Sequence, residues 1–432
     1  MPKTALIINP YITDFKLYDE WMHPLGLYFL IQFLQEKGFD THYINCLERS
    51  AIKKKRYNTS NFLWREISKP QLYESIQRKY KLYGLCPEDF KTRLSQIKSP
   101  DVIFLGSMMT YWLPGVSETI KFIRSVFPHP PIVVGGAAVR LFGHYFSRHH
   151  PDVITADKEF ETAGIQFTSS IYDKAWKPKL TAGLKSAGNI LHGPVLTCLG
   201  CPLSCSYCAA KKLQPRFLIR PHETVKEEIL YLIHSKGIRD FAFYDDALLV
   251  LPEKTLFPLE NTLDTFKKEI RFHTPNGLHL KNINKETIAS LKSLNTKTLR
   301  FGYETADNRF QDSTGGKVTL QMLEEKSRLL HEAGMHKNAG VYMMAGLPDQ
   351  TPEDMLREMD TVSSTGLKVK PVFYSPVPGT PLFNYYSKHF PQLHTNPLWH
   401  NDTFFLSRVS GWGCEAMETV RQKAKELNGK LF

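Results

Sequence analysis

The sequence predicts an α/β protein with two parallel β-sheets, a doubly wound sheet followed by a partial or full (β/α) barrel. Three observations support this prediction. The chain has 432 residues, about three times a typical domain length of roughly 150, so we expect two or three cores. Strand-sized apolar runs alternate with helix-periodic stretches in two separate series, which is typical of parallel sheets. Four of the seven cysteines lie in one loop after the first strand of the second series.

Composition and charge limit the classes of function. Hydrophobic residues make up 42% and charged residues 23%, which is typical of a folded chain rather than a disordered one. The longest apolar runs are far shorter than the roughly 20 residues that cross a bilayer, and the first ten residues lack signal-peptide features. We therefore expect a cytosolic protein without a membrane span. The net charge of +12 favours anionic partners, but it is spread over a large surface, and we do not expect a nucleic acid as the partner.

Residues 1–157 are predicted to form the doubly wound sheet. In chain order we expect a strand at 4–9, a helix at 25–37, strands at 42–45 and 102–107, a helix at 116–126 and a strand at 132–135. Ligands of such sheets bind at the carboxyl ends of the strands. Residues at those ends are therefore our candidates for cofactor binding in this domain: Asn9, Ser107, Met108, Thr110, Gly135 and Gly136.

A basic and aromatic stretch at 46–100 interrupts this alternation. It contains the run Lys53-Lys54-Lys55-Arg56 and is interleaved with aromatic residues such as Trp64. We predict a mostly helical insertion or lid, in which the charges form a solvated face and the aromatic residues turn inward. Gripping RNA is the alternative function for such a mixture.

The second series predicts the barrel at 193–380, after a connector at 158–192. We expect strands at 194–197, 240–244, 271–274, 298–303, 337–344 and 370–374, and helices at 225–234, 256–269, 285–294, 320–333 and 352–365. The working face of such a barrel is the carboxyl edge of its strands. Residues 381–432 are expected to close one face of the barrel.

The cysteine cluster is the sharpest feature of the sequence. An odd number of cysteines in a cytosolic chain favours metal binding or redox chemistry over a disulfide framework. Three thiolates at Cys201, Cys205 and Cys208 can hold three irons of a cubane and leave the fourth iron open. Two alternatives include Cys198: a zinc site made by all four cysteines, and a fully ligated electron-transfer cluster. The remaining cysteines are isolated and expected to be small buried residues: Cys46, Cys86 and Cys414.

The spacing Cys201-x3-Cys205-x2-Cys208, with Tyr207 before the last cysteine, resembles the signature of the radical S-adenosylmethionine (SAM) superfamily. The order of domains over residues 1–380 is similar to the subgroup in which a Rossmann-like, cobalamin-binding-type domain precedes the radical SAM barrel. This resemblance implies a 4Fe-4S cluster whose open iron chelates SAM, reductive cleavage of SAM to a 5'-deoxyadenosyl radical, and a low-potential electron donor of flavodoxin or ferredoxin type.

The resemblance also implies the residues that contact SAM. A carboxylate after the second barrel strand is expected to bind the methionine ammonium, an acidic residue two strands later the ribose, and a strand with its glycine turn the adenine. The matching residues are Tyr207, Asp245, Asp246, Glu304, Gly340, Met344 and Gly346. His273 and Asn276, at the end of the intervening strand, are our catalytic candidates for substrate contact or proton transfer, and loop hydrogen bonding is the alternative.

The two alternatives for the enzyme's function differ in whether cobalamin is bound. The family's Asp-x-His-x-x-Gly signature is missing after the first strand, and His42 precedes the second strand, so we expect His42 to be a strand residue. With cobalamin, the resemblance implies methylation of an unactivated carbon of a small-molecule or protein substrate. Without it, the barrel is expected to catalyse an isomerisation or a sulfur insertion. A zinc-stapled RNA-binding protein is the alternative from a different class.

Overall fold

The computed structural model describes residues 2–49, 55–157, 159–167, 178–307, 310–311 and 318–431. The chain divides into two compact units. Unit 1 consists of Met1–Ile190 and Phe390–His400, and unit 2 of Leu191–His389 and Asn401–Phe432. Lys53 and Lys54 of the basic run lie outside the described residues. No helix in the described part of the chain combines the length and the apolar character needed to span a membrane.

Unit 1 is built from ten strands and six helices among its described residues. The strands are β1 (Thr4–Asn9), β2 (Ile12–Asp14), β3 (Asp40–Asn45), β4 (Trp64–Glu66), β5 (Lys81–Tyr83), β6 (Val102–Leu105), β7 (Ile132–Val134), β8 (Ile154–Thr155), β9 (Phe160–Thr162) and β10 (Ile165–Phe167). The helices are α1 (Leu25–Glu36), α2 (Pro87–Ser95), α3 (Leu113–Val126), α4 (Ala137–Phe142), α5 (His144–His149) and α6 (Thr181–Ser186).

The main sheet of unit 1 has five parallel strands in the order β3-β1-β6-β7-β8. Apolar residues cover both of its faces: Leu6 and Ile8 of β1 enter one core, and Ala5 and Ile7 enter the other. This is the doubly wound sheet that the sequence predicts. The strand order reverses between β1 and β6, and ligands of such sheets bind beside that switch point, at the carboxyl ends of the strands.

The prediction of a mostly helical stretch at 46–100 is wrong. β2, β5 and β4 form an antiparallel three-stranded sheet, and α2 is the only α-helix among the described residues of this stretch. Two breaks prevent a long helix. Gly84 has φ +135°, and a Cβ there would lie 2.6 Å from the ring of Tyr11. Pro87 starts α2 at a position where a proline is tolerated.

Unit 2 follows the second predicted series. Its strands are β11 (Gly193–Val195), β12 (Cys198–Leu199), β13 (Leu218–Ile219), β14 (Asp240–Phe243), β15 (Arg271–His273), β16 (Leu278–His279), β17 (Thr296–Glu304), β18 (Ala339–Ala345) and β19 (Lys368–Phe373). Its described helices are α7 (Ala210–Leu213), α8 (His222–Lys236), α9 (Pro252–Thr255), α10 (Phe257–Thr262), α11 (Lys285–Ser293), α12 (Leu320–Glu332), α13 (Pro352–Ser364), α14 (Pro381–Ser387), α15 (Asp402–Leu406) and α16 (Cys414–Lys430).

The barrel sheet contains six parallel strands in the order β11-β14-β15-β17-β18-β19, with β16 paired to β17. β11 and β19 stand at its two ends and are not paired with each other in the described structure, so the barrel is partial. The single helix expected at 256–269 is wrong. Two short helices, α9 and α10, occupy this region, and Pro258 stands in the first turn of α10, because its missing N–H cannot continue a helix from α9.

Candidate active site

The cysteine loop connects β12 to β13. These two strands pair in antiparallel fashion, which brings the two ends of the loop together. Gly200 has φ +77°, and a Cβ there would lie 2.7 Å from the carbonyl oxygen of Arg216, so this turn requires glycine. Within the loop, the N–H of Cys208 donates to the carbonyl oxygen of Cys205 at 3.2 Å. The three predicted ligand cysteines therefore lie on one tight loop at the carboxyl end of β11.

The three cysteines form no disulfide and differ in exposure. Cys205 is buried, Cys201 is half-buried and Cys208 is exposed. The Cys201 Sγ lies 3.7 Å from His279 Nε2, and the Cys208 Sγ accepts the N–H of Ala210 at 3.4 Å. No three His, Cys, Asp or Glu side chains surround one ion position in the described ranges of the chain. A cubane requires no such convergence, because each thiolate binds a different iron. The loop therefore fits three thiolate ligands of a cluster.

Cys198 is held away from this function by Asp245. Its backbone N–H donates to Asp245 Oδ1 at 2.7 Å, and its side chain is fully buried. Burial, followed by the charge of the neighbouring carboxylate, raises the pKa of the Cys198 thiol well above its usual range. A thiol that keeps its proton is a poor metal ligand. The arrangement favours the three-cysteine interpretation over both four-cysteine alternatives.

Asp245 ties the ends of β11 and β14 together. Its Oδ1 accepts three hydrogen bonds, from the N–H and hydroxyl of Thr197 and from the N–H of Cys198. Its Oδ2 is buried and has no hydrogen-bond partner among the described residues. Burial outweighs the three hydrogen bonds and raises the pKa of Asp245. An unsatisfied buried acceptor beside the cysteine loop is what a site for a cationic ligand group would present.

Asp246 stands next to it at the surface. Its side chain is exposed, yet desolvation by the surrounding chain and the charge of Asp245 raise the pKa of Asp246 to about 6. The pair therefore splits into a structural carboxylate at Asp245 and an accessible one at Asp246. Binding of the SAM ammonium by either residue stays a prediction.

Glu304 is held by the aromatic residue of the cysteine motif. The hydroxyl of Tyr207 donates to Glu304 Oε1 at 2.8 Å. Glu304 ends β17 with φ +70°, where the register between β17 and β18 shifts by a bulge. A Cβ at Gly302 would lie 2.8 Å from the same oxygen, so a glycine leaves room for the carboxylate. Burial and the Glu304 charge raise the pKa of Tyr207, which keeps its hydroxyl a donor. Strained backbone of this kind concentrates at functional sites.

The three residues predicted to back the adenine are not brought together. Met344 and Gly346 lie at the carboxyl end of β18, and the N–H of Gly346 donates to Gln350 Oε1 at 2.9 Å. Gly340 is the second residue of the same strand. At about 3.3 Å per residue it lies roughly 20 Å from Gly346, at the opposite edge of the sheet. Binding of the adenine by any of the three residues stays a prediction.

His273 and Asn276 take different positions. His273 is fully buried, with Nε2 3.1 Å from Asp240 Oδ1 and Nδ1 3.1 Å from Thr298 Oγ1. Burial lowers the pKa of His273. These contacts favour a structural role, and its catalytic assignment stays a prediction. Asn276 is exposed, and its amide donates to the carbonyl oxygen of Tyr244 at 3.0 Å, so it does lie at the carboxyl edge of the sheet.

His279 is a site residue that sequence reasoning missed. It lies on the two-residue strand β16, and its imidazole reaches the Sγ of Cys201. The two residues are 78 positions apart, and the local sequence pattern around His279 does not predict the contact. Only the pairing of β16 with β17 could have predicted it.

The candidate residues of unit 1 gather at the carboxyl edge of its main sheet. Asn9 donates its side-chain amide to Asn45 Oδ1 at 2.7 Å. Ser107 donates its hydroxyl to the carbonyl oxygen of Gly135 at 2.7 Å. Gly136 has φ +103°, and a Cβ there would overlap the carbonyl oxygen of Ser107. Met108 is 59% exposed. These residues surround the switch point between β1 and β6.

Thr110 is buried by the segment Phe390–His400 of unit 1. Its hydroxyl lies 2.7 Å from Nδ1 of His400, whose Nε2 lies 2.8 Å from the carbonyl oxygen of Leu393. A carbonyl can only accept, so Nε2 carries the proton and Nδ1 accepts from Thr110. Thr110 thus anchors a returning segment of the chain. The expectation that His42 is a strand residue is confirmed, because it lies in β3.

Comparison with known proteins now identifies the barrel. Residues 195–362 match the radical SAM superfamily. This chain carries a radical SAM domain. The match begins at the last residue of β11 and ends within α13, so it contains the cysteine loop, Asp245, Asp246 and Glu304. The radical SAM prediction is confirmed for these residues, and the matched family implies a 4Fe-4S cluster and SAM as cofactors.

Two solved structures share the fold over nearly the whole chain. The radical SAM methyltransferase TsrM from Kitasatospora setae, described with cobalamin and a 4Fe-4S cluster bound, superposes with a TM-score of 0.64 at 13% identity, covering 99% of this chain and 89% of that one. The cobalamin-dependent SAM radical enzyme OxsB gives a TM-score of 0.56 at 15% identity, covering 98% and 62%. The predicted fold class, a doubly wound sheet followed by a radical SAM barrel, is confirmed.

One curated relative matches part of the chain. It is an uncharacterized methyltransferase of Pyrococcus horikoshii, 23% identical over 201 residues. The match covers 46% of this chain and 43% of the relative, so the chain spans less than half the length of this relative.

Proposed function

We propose that this radical SAM protein is a cobalamin-dependent methyltransferase that acts on an unactivated carbon. The observation that carries the proposal is the site in unit 2, where the three-cysteine loop and the Tyr207–Glu304 hydrogen bond meet at one edge of the partial barrel. The presence of a doubly wound sheet in the same chain supports the cobalamin part. The names of TsrM and OxsB, and of the methyltransferase relative, point the same way.

A bound 4Fe-4S cluster supplies one-electron chemistry to SAM, and a bound cobalamin supplies a methyl group. The chain's own residues hold and orient these groups. Cys201, Cys205 and Cys208 provide the thiolates. Asp246 offers an accessible carboxylate for the ammonium of SAM. Glu304, fixed by Tyr207, offers acceptors for the ribose hydroxyls.

The residues of unit 1 fit a large cofactor that lies against the backbone. The Gly135-Gly136 turn has no side chain at the carboxyl edge of the sheet, and the exposed Met108 offers apolar contact. Ser107 braces the turn through its bond to Gly135. We propose that this edge binds cobalamin without a histidine ligand to cobalt, because His42 lies within β3.

The conditions of the reaction complete the proposal. An electron must come from a low-potential carrier, for which we propose a protein of flavodoxin or ferredoxin type. None of the seven cysteines, all of which are described, forms a disulfide, which fits a reducing compartment such as the cytosol. The substrate is a small molecule or a protein.

The test is anaerobic reconstitution with iron, sulfide and cobalamin. We expect about four irons per chain, a corrin absorption spectrum that stays with the protein through gel filtration, and 5'-deoxyadenosine from SAM after reduction with dithionite. Cys205→Ala should abolish the iron content, whereas Cys198→Ala should keep it. Equal iron content in the two variants would contradict the site. Reconstituted protein that binds iron but no corrin would overturn the methyltransferase and leave the radical SAM assignment standing.

A further inference from the structure

The cysteine loop stands on a part of the chain that carries no negative charge. Between Cys198 and His222 there is no aspartate or glutamate, and the charged residues are Lys211, Lys212, Arg216 and Arg220. The same is true from residue 361 to residue 401, where the charged residues are Lys368, Lys370 and Lys388. Two acid-free stretches of this length are unusual in a chain that contains 43 acidic residues.

The two stretches are in contact in unit 2. The N–H of Leu382, in the first turn of α14, donates to the carbonyl oxygen of Ser206 in the cysteine loop at 2.9 Å. Gly379 lies against the side chain of Lys212, which a Cβ at this position would overlap. The Nζ of Lys211 donates to the hydroxyl of Ser204 at 2.9 Å. The basic side chains are thus fixed beside the cysteines, not merely near them in sequence.

Basic, apolar and cysteine side chains are exposed together on this surface. Lys211, Lys212 and Arg216 are exposed, whereas Arg220 is buried in a bidentate pair with Glu228 and adds nothing to it. Leu203 is 36% exposed in the loop itself. We call the surface formed by Leu203, Cys208, Lys211, Lys212 and Arg216 the basic loop face. Its composition, a cationic rim with an exposed apolar residue, is typical of a transient protein interface.

We propose that the basic loop face is the docking surface for an acidic, low-potential one-electron carrier protein. This inference rests on the proposed function, since it needs a cluster held by the loop. Lys211 follows Cys208 by three residues and bonds Ser204 within the same loop, so a carrier docked at this face has a short path to a cluster held by the loop. One electron leaves the reduced carrier and enters the oxidised cluster, and no bond is formed or broken in that step.

Charge complementarity selects this partner. A carrier with a negative surface is attracted by three cations and meets no carboxylate from either acid-free stretch. Such attraction raises the association rate by roughly 10- to 1000-fold at low ionic strength and weakens as salt is added. A nucleic acid would also be attracted by these cations, so the experiment must distinguish the two partners.

The experiment compares Lys212→Glu/Arg216→Glu with a matched control, Lys98→Glu/Lys425→Glu. Both double variants change the net charge equally, and the control residues are exposed lysines outside the basic loop face. The probe is an acidic flavodoxin, with binding of its oxidised form measured by titration calorimetry at low salt. The second readout is 5'-deoxyadenosine formation driven either by reduced flavodoxin or by dithionite, and iron content is measured in every preparation.

We expect the face variant to bind flavodoxin at least roughly tenfold more weakly and to lose flavodoxin-driven activity in the same proportion, with iron content and dithionite-driven activity unchanged. The control should match the unsubstituted protein. Unchanged flavodoxin affinity in the face variant would overturn the inference. A single-stranded RNA is titrated in parallel, and loss of RNA binding with flavodoxin binding intact would overturn it too. Failure of the unsubstituted protein to cleave SAM even with dithionite would instead overturn the proposed function, and this inference with it.

Discussion

At the scale of single residues, the hydrogen bond between Tyr207 and Glu304 joins the cysteine motif to the carboxyl end of β17. It fixes a carboxylate whose backbone already has a strained positive φ. A hydrogen bond to a charged group contributes about 1.5–3 kcal/mol. We therefore predict that Tyr207→Phe weakens SAM binding to the reconstituted protein by roughly tenfold, as measured by titration calorimetry. The ring is retained, so iron content should not change.

The matched control is Tyr385→Phe, which removes a hydroxyl from an exposed tyrosine of α14. It should leave the SAM affinity unchanged. If Tyr207→Phe also left it unchanged, Glu304 would not need Tyr207 to bind SAM. If it removed iron, the role of Tyr207 would lie in the fold of the loop.

Asp246 should make SAM binding sensitive to pH. Its pKa is raised to about 6, so the carboxylate that pairs with the SAM ammonium is fully present only above that pH. We predict that SAM affinity falls by about tenfold for each pH unit below 6, and that Asp246→Asn binds SAM weakly at every pH. A titration of affinity against pH that stays flat in the unsubstituted protein would contradict this assignment.

The raised pKa of Asp246 also affects the stability of the fold, and here a higher pH is unfavourable. The folded pKa of Asp246 lies above the ordinary value of 3.8, so the folded state holds its proton more tightly than the unfolded chain. Ionisation therefore disfavours folding as the pH rises through about 6. Asp246→Asn should raise the melting temperature at pH 7 and leave it unchanged at pH 4.

His279 is expected to tune the cluster through Cys201. A donor to a ligand sulfur stabilises the extra negative charge of the reduced state, so such contacts raise reduction potentials. We predict that His279→Ala lowers the potential of the reconstituted cluster, measured by a redox titration followed by electron paramagnetic resonance. His389→Ala removes an exposed histidine outside the site and should not shift it. Equal potentials in both variants would show that the 3.7 Å contact has no electronic effect.

At this scale, the spacing of residues along the chain predicts the cysteine loop and no other part of the candidate site. The cysteines and Tyr207 follow one another in a single loop, so their pattern was legible. Gly340 and His273 are predicted from the strands in which they lie, but a strand has two ends and two faces, and the sequence does not say which of them meets the site. Gly340 lies at the opposite end of β18 from Gly346, and His273 is buried and contacts Asp240. Their direction depends on register, which only the assembled sheet fixes.

At the scale of elements, the alternation of strands and helices was predictable because buried parallel strands are short apolar runs. β1 has the predicted bounds, and the other main strands of the two sheets begin or end within a few residues of theirs. The stretch at 46–100 was mispredicted because its aromatic residues pack across an antiparallel sheet. Phe15, directly after β2, and Tyr80, directly before β5, contact Tyr73 with ring centroids 5.0 and 5.5 Å away. Spacing along the chain carries no record of such contacts.

The turn after β7 depends on a glycine. At Gly136 the backbone has φ +103° and a Cβ would overlap the carbonyl oxygen of Ser107. We predict that Gly136→Ala destabilises unit 1 by about 2–3 kcal/mol, measured by urea unfolding, and removes corrin binding. Gly26→Ala is the matched control, since Gly26 lies exposed in α1 with nothing near its Cβ position. It should be neutral or stabilising by up to about 1 kcal/mol. Similar values for both variants would contradict the role of the turn.

At the scale of the whole molecule, the division into units does not follow the order of the chain. The segment Phe390–His400 belongs to unit 1, although it is flanked on both sides by residues of unit 2. Within unit 1, Tyr73 donates its hydroxyl to the carbonyl oxygen of Leu398 at 2.7 Å, over 325 positions of sequence. Contacts at such separations leave no periodicity in the sequence. The predicted domains are continuous ranges of the chain, so they could not assign the segment Phe390–His400 to unit 1.

His400 makes that return sensitive to acid. It is fully buried, and burial lowers its pKa to about 4, so the unfolded chain binds a proton there before the folded one does. The stability that neutral His400 contributes is therefore present above pH 6.5, the ordinary pKa of histidine, and is lost as the pH falls toward 4. The full difference in the free energy of unfolding is on the order of 3 kcal/mol.

We predict that hydrogen exchange followed by mass spectrometry shows unit 1 opening over this pH window. His400→Ala, which leaves the hydroxyl of Thr110 without this partner, should open unit 1 already at pH 7 by about 2–4 kcal/mol and remove that part of the pH dependence. Exchange that accelerates only in peptides of unit 2, or equally in His400→Ala and the exposed-site variant His389→Ala, would contradict the anchoring role of His400.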